Sequence, residues 1–327
     1  MITTTIESNI LQLHYYLEKD SHSMDAIVLN KAESEILKIL SEISKIFDID
    51  VSIETQALEE GGIKAVYKFL TKKKYRKNVN LIAGFIAGIS ASVIANVATD
   101  KLTKDAELEK LQKQEMRLNI LKLKRDLKIE DEKEKKKNNK DLKQQEDNQF
   151  KEVEKLVSSD NIESFADYIS ENNKIKVYKS NFYSAVKNEK KLIKISTQIL
   201  NQNQEPVSKE KFVLKKEFND LILENTNMED EYLKEVAIEI VAPVLKGNSL
   251  KWKGIFKSEN ITFSLKDKVF RELIELKNLK FTNGTKIIGD LEIKRKINKE
   301  GEIILGAKSL YDVVAIHYPD GDKVDII

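Results

Sequence analysis

Three small groups of side chains in this sequence could do chemistry. The first is Lys251-Trp252-Lys253. On a strand, successive side chains point to opposite faces, so two ammonium groups share the face opposite the indole. A basic-aromatic strand of this kind can hold a phosphate and stack a base. The same three residues also describe a core tryptophan between ordinary surface lysines. The second group is Gly84, Gly88, Ser92 and Asn96, four apart and therefore on one stripe of a helix. Small residues let helix backbones approach closely, which matters most in lipid, where no hydrophobic force drives helices together. With Ser90, the polar members of this stripe could line a narrow pore. The third group is Asp20, His22 and Asp25, which are metal-donor types. Crowded around two serines, they read instead as a turn and a helix N-cap.

No motif for enzymatic catalysis accompanies these groups. The chain lacks a glycine-rich phosphate loop, a Gly-x-Ser-x-Gly elbow and an HExxH pair. Among 327 residues there is no cysteine, which excludes a thiolate nucleophile and a disulfide framework, and three histidines scattered at 14, 22 and 317 disfavour a histidine metal cage. No catalytic, cofactor-binding or metal residue is expected, and the sequence reads as a non-enzyme.

The elements that must position these groups follow from charge and periodicity. The formal charge is only +2, but it is unevenly distributed. Residues 1–70 carry −6, residues 71–80 carry +5, residues 100–157 carry +2 and residues 158–327 carry +1. The +5 collar (Lys72, Lys73, Lys74, Arg76, Lys77) precedes an uncharged run ending at Thr99. About 18 residues of helix span roughly 27 Å, close to the hydrocarbon thickness of a bilayer. Basic residues gather at the cytoplasmic face of such spans. The run is therefore predicted to be a short transmembrane helix, with a core helix as the alternative, and the expected location is the cell inner membrane.

The expected fold class is α+β, in four parts. Residues 1–70 form a small N-terminal α/β unit, with strands at 11–17 and 48–57, a helix at 24–47 and a short amphipathic helix in IKAVYKFL. Residues 71–99 form the collar and the single small-residue transmembrane helix. Residues 100–157 form a long charged helix, with Met116, Ile120, Leu123 and Leu127 as a short coiled-coil seam. Residues 158–327 begin helical and end in a mainly antiparallel β domain crossed by one helix at 266–279, with turns at Asn283-Gly284, Glu300-Gly301 and Asp320-Gly321.

The stretches YYLEKDSHSMDAIVLNKAESEIL, IETQALEEGGIKAVYKFL, ELEKLQKQEMRLNI and IEIVAPVLKGNSLKWKGIF, with NITFSLKDKVF and FTNGTKIIGDLEIKRK, resemble an uncharacterised bacterial family. Its members share a head, one hydrophobic segment, a charged helix and a C-terminal β domain. The architecture is also similar to membrane effectors of anti-phage defence, of the Hailong type. That resemblance implies an oligomeric channel gated by a nucleotide or oligonucleotide ligand on its soluble domain. It brings no catalytic residues. The resulting expectation is a homo-oligomeric, ligand-gated membrane effector packed through Gly84, Gly88, Ser92 and Asn96, with Lys251, Trp252 and Lys253 as ligand contacts. A membrane-tethered adaptor and a soluble nucleic-acid-binding protein are the alternatives.

Overall fold

The computed structural model describes residues 10–18, 21, 23–55, 63–71, 79–95, 106–133, 156–157, 159–224, 226–245, 251–277 and 279–326. It is an α+β protein of two compact units. Unit 1 comprises residues 1–224 with 299–301, and unit 2 comprises 225–298 and 302–327.

Unit 1 is built on a five-stranded sheet. Its strands are β1 (Ile10–Leu17), β2 (Val51–Thr55), β3 (Ile63–Thr71), β4 (Leu192–Leu200) and β5 (Lys211–Leu214), in the order β2-β3-β1-β4-β5, all antiparallel. The head expected at 1–70 is thus not separate, because its central strand β1 pairs along its length with β4, from far down the chain. The amphipathic helix expected in IKAVYKFL is strand β3. Ala65, Tyr67 and Phe69 point to the core while Lys64 and Lys68 alternate with them.

Helix α1 (Ala26–Phe47) turns Ala32, Ile36, Leu40, Ile43 and Phe47 inward. Asp25 caps it, its carboxylate accepting from the amides of Ile27 and Val28. That cap is the role the structure gives the one described member of the Asp20/His22/Asp25 group; Asp20 and His22 lie outside the described residues.

Helix α2 (Val79–Ala95) is the segment expected to cross a membrane. It is instead the centre of the unit 1 core. Ile82, Phe85, Ile86, Ile89 and Val93 are fully buried, with the inner face of β1, β3, β4 and β5 on one side and helix α4 (Ser159–Ser170) on the other. Phe85 meets Phe47 and Phe165 edge-on, with ring centroids 5.3 Å away in each case.

A buried helix end leaves carbonyls without intrahelical partners, and each must be satisfied. Tyr183 OH donates to the carbonyl of Ile94 at this end at 2.7 Å, and one turn inside it Thr197 Oγ1 adds a second bond, to the Ala91 carbonyl, at 2.9 Å. These donors come from β4 and from helix α5 (Asn173–Val186), so this position of α2 is specified by distant parts of the chain. No helix among the described residues is long and apolar enough to cross a membrane.

Helix α3 (Ala106–Lys133) carries the expected seam, but Ile120 and Leu123 are buried in the core of unit 1, with Met116 packed beside them. The seam is filled from within the chain. Leu127 lies outside the residues whose side chains are described.

Unit 2 contains β6 (Glu231–Ala242), β7 (Trp252–Phe256), β8 (Glu259–Leu265), helix α6 (Lys268–Lys277), β9 (Lys286–Ile297), β10 (Ile303–His317) and a short β11 (Lys323–Asp325). The long strand β10 is bent by a register shift against β9 between Tyr311 and Ala315. β6 pairs with β7, β7 with β8, β8 with β10 in parallel, β10 with β9, and β9 back to β6. The sheet therefore closes on itself and leaves no open edge among these five strands.

With the barrel strands numbered in chain order, the circuit runs 1-2-3-5-4-1, with a helix between the third and fourth. That is the topology of an OB-type barrel. Phe270 and Ile274 of α6 close the core together with Trp252, Phe263, Leu291 and Leu310.

Candidate nucleic-acid interface

In an OB-type barrel the wall made by the second and third strands is the surface that takes oligonucleotides and oligosaccharides. Here that wall is the β7–β8 hairpin. A fold alone does not assign a function, so the side chains must carry the argument.

The hairpin sorts its residues by strand period. Trp252 is only 2 % exposed, stacked in the core near Phe263 and edge-on to Phe281, 5.4 Å between centroids. Its ring is not available to a base, which corrects the stacking role expected for it. Lys251 and Lys253 flank it and are exposed. Opposite Lys253 stands Thr262, opposite Ile255 stands Asn260, and both β8 residues are exposed. Lys266 is exposed at the far end of β8.

At the hairpin tip, Lys257 and Ser258 form a two-residue connection with φ of 49° and 67°. A tight turn between right-twisted strands requires this left-handed backbone, which Asn and Gly adopt at less cost. The turn brings the Lys257 ammonium over the Phe256 ring at 5.2 Å. Gly254, between Lys253 and Ile255, faces inward where the barrel wall is tightest. A Cβ there would stand 2.6 Å from Ile238 Cγ2 and 2.8 Å from the Glu239 carbonyl oxygen. Only glycine lets β6 and β7 approach so closely.

The wall therefore presents Lys251, Lys253, Lys257 and Lys266 with hydroxyl and amide groups between them. None of the four lysines forms an ion pair among the described residues. The acid nearest the tip is Glu259, paired across the hairpin with Phe256. Four ammonium groups on one wall, none in an ion pair among the described residues, are what a phosphate backbone requires.

Two other polar clusters are already satisfied internally. On β6, β9 and β10, Glu292 accepts from Tyr232 OH at 2.9 Å and from Tyr311 OH at 3.1 Å, and Lys294 bridges it to Asp230. The Tyr232 hydroxyl above all, then Lys294 and Tyr311, holds the Glu292 carboxyl below its ordinary range.

The second cluster lies on the polar face of the unit 1 sheet. His14 stacks on Tyr16, with 3.7 Å between centroids, and Lys194 stands 4.1 Å from the Tyr16 ring and 4.7 Å from that of Phe212. Glu210 accepts from Tyr16 OH and Ser196 Oγ, each at 2.5 Å. Burial and then the Glu210 bond push the Tyr16 hydroxyl up to about 12. Burial and then the charge of Lys64 lower the His14 imidazole. Lys194 is shared between two rings there, whereas on the barrel wall Lys257 stands over one, that of Phe256. Sequence reasoning did not single out this cluster, although alternation of Gln12, His14 and Tyr16 along β1 was the signal that could have found it.

The small-residue stripe has an intramolecular role. A Cβ on Gly88 would lie 2.7 Å from Ile162 Cδ1 of α4 and 3.5 Å from Ile199 Cδ1 of β4. Gly84 is buried in the same helix. Ser90 Oγ donates back to the Ile86 carbonyl at 2.7 Å. Ser92 Oγ donates to Glu163 at 3.1 Å and accepts from Lys211 at 2.8 Å, and Lys211 and Glu163 are themselves an ion pair. The stripe thus seats α2 against its own sheet and helix. Asn96 lies outside the described residues.

Comparison with known proteins returned no match to a protein family, a curated protein or a solved structure.

Proposed function

We propose that this chain is a ligand-binding protein whose C-terminal barrel holds single-stranded nucleic acid or a short oligonucleotide along the outer wall of β7 and β8. The observation that carries this reading is the set of four exposed lysines, Lys251, Lys253, Lys257 and Lys266, on that wall, none of them in an ion pair among the described residues. Lysines contact phosphate without reading sequence, so the binding is predominantly sequence-tolerant and strongly salt-dependent. Thr262 and Asn260 add donors and acceptors for sugar or base edges.

On this reading the barrel is the sensing domain implied by the resemblance to defence effectors. The pore half of that expectation draws no support from α2, whose apolar residues are spent on the unit 1 core.

The test is fluorescence anisotropy with labelled dT12 and rU12, titrated with the full chain between 25 and 200 mM salt. For single strands, the slope of log K against log salt is about −0.7 per phosphate contact, so four lysines give about −3. The Lys251→Ala/Lys253→Ala variant should bind several-fold more weakly at low salt, with the slope reduced by about 1.4. An unchanged slope in that variant would place binding elsewhere, and no saturable binding at 25 mM salt would end the proposal.

A further inference from the structure

A cleft in unit 1 has the chemistry of a different ligand. Helix α3 packs its buried residues Ile120 and Leu123 beside α1 and α4. Next to that seam the three helices leave a cleft of about 570 Å³. Ligand sites in proteins span roughly 300–1,000 Å³, mostly apolar with a few directed polar groups.

The walls of this cleft are Ile46 from α1, Ile120 and Leu121 from α3, and Tyr168 and Ile169 from α4. Four of these five are aliphatic. Lys113, Arg117 and Lys124 line the α3 side, and their spacing of four and seven places them on one stripe of the helix.

Across the cleft the polar groups are already engaged. Glu171 is paired with Lys176 at 2.9 Å. The Asn172 side-chain oxygen accepts from the amides of Lys174 and Ile175 as the N-cap of α5. Arg117 and Lys124 form no ion pair among the described residues. The cleft is thus apolar within and positive along one edge.

We propose that this cleft binds a single-chain amphiphile with an anionic head, the chain lying against Ile46, Leu121 and Ile169 and the head held by Arg117 and Lys124. The head group is a carboxylate or a phosphate monoester, both of which an arginine fork accepts in bidentate fashion. Aliphatic walls with one ring suit a hydrocarbon chain better than a nucleobase, which calls for stacking faces and edge donors. The inference is independent of the barrel, so loss of oligonucleotide binding leaves it standing.

The experiment is isothermal titration calorimetry of the full chain with dodecanoate, dodecyl phosphate and dodecan-1-ol, each below its micelle-forming range, and with adenosine monophosphate. The expected result is saturable binding of at least one anion, at least tenfold tighter than the alcohol. The better of the two anions identifies the head group. In Arg117→Gln/Lys124→Gln, whose positions leave the buried seam untouched, anion affinity should fall about tenfold or more while the alcohol is unaffected. Leu121→Glu, at an exposed wall position, should weaken the anions through both shape and charge. Circular dichroism of each variant confirms the fold. Equal affinity for anion and alcohol, unchanged anion affinity in the double variant, or binding of adenosine monophosphate with both amphiphiles inert would each overturn the proposal.

Discussion

Lys179 on α5 shows how a single side chain can work against the fold that holds it. Burial pushes its pKa down to about 8 from an ordinary 10.5. At pH 7 the lysine is charged in both the folded and the unfolded chain, so folding bears the net cost of holding the ammonium in a largely buried place. As pH rises through 8 the folded state sheds the proton first, and the cost fades toward 10.5. Lys179→Met should therefore stabilise the protein at pH 7 by about 1–3 kcal/mol, with a smaller gain at pH 10. Urea midpoints at the two pH values check this, and an equal gain at both would show that packing rather than charge is responsible. Trp252 makes a complementary point: its flanking lysines were readable from alternation, but the same alternation cannot say which face is the core.

At the scale of elements, α2 carries the sharpest test. Leu at position 88 would drive a branched side chain into Ile162 and Ile199, where even a Cβ is crowded. Gly88→Leu should destabilise unit 1 by about 1–3 kcal/mol in urea unfolding. Unchanged stability would contradict the core placement of the helix.

This helix also shows where sequence reading stops. An apolar run of this length satisfies both a bilayer and a protein core, and hydropathy cannot separate them. What decides is Thr197 and Tyr183, about a hundred residues away, which bond the carbonyls at and one turn inside its end. Strand β3 was ambiguous for a simpler reason: Lys64 and Lys68 share a face whether the period is 2 or 3.6. Strands β1 and β2, helix α1 and the turns at Glu300-Gly301 and Asp320-Gly321 were readable, because their signals are local alternation, capping and glycine, whereas the Lys257-Ser258 tip carries no glycine to mark it. The barrel was not, since its closure depends on the parallel pairing of β8 with β10. Of the lysines of the candidate interface, Lys251 and Lys253 were legible from alternation around Trp252; Lys257 and Lys266 join them only through the β7–β8 hairpin.

Among the described residues each unit has its own main hydrophobic core, and no buried residue belongs to both. Helices α1 to α5 lie in unit 1, whereas among the described residues unit 2 holds only the ten-residue α6. The single tryptophan, Trp252, is buried in the core of unit 2. Far-ultraviolet circular dichroism at 222 nm therefore reports mainly on unit 1, and indole emission reports on unit 2 alone. Two-state behaviour requires different probes to give coincident transitions, and separate cores give no reason for that. The two denaturation curves should have different midpoints in urea. Gly88→Leu should move the dichroism midpoint to lower urea and leave the tryptophan midpoint in place. If both probes shift together in that variant, the cores are coupled and the chain unfolds as one cooperative body. If only the first shifts, each unit carries its own stability, and a ligand added to the barrel should raise the tryptophan midpoint alone.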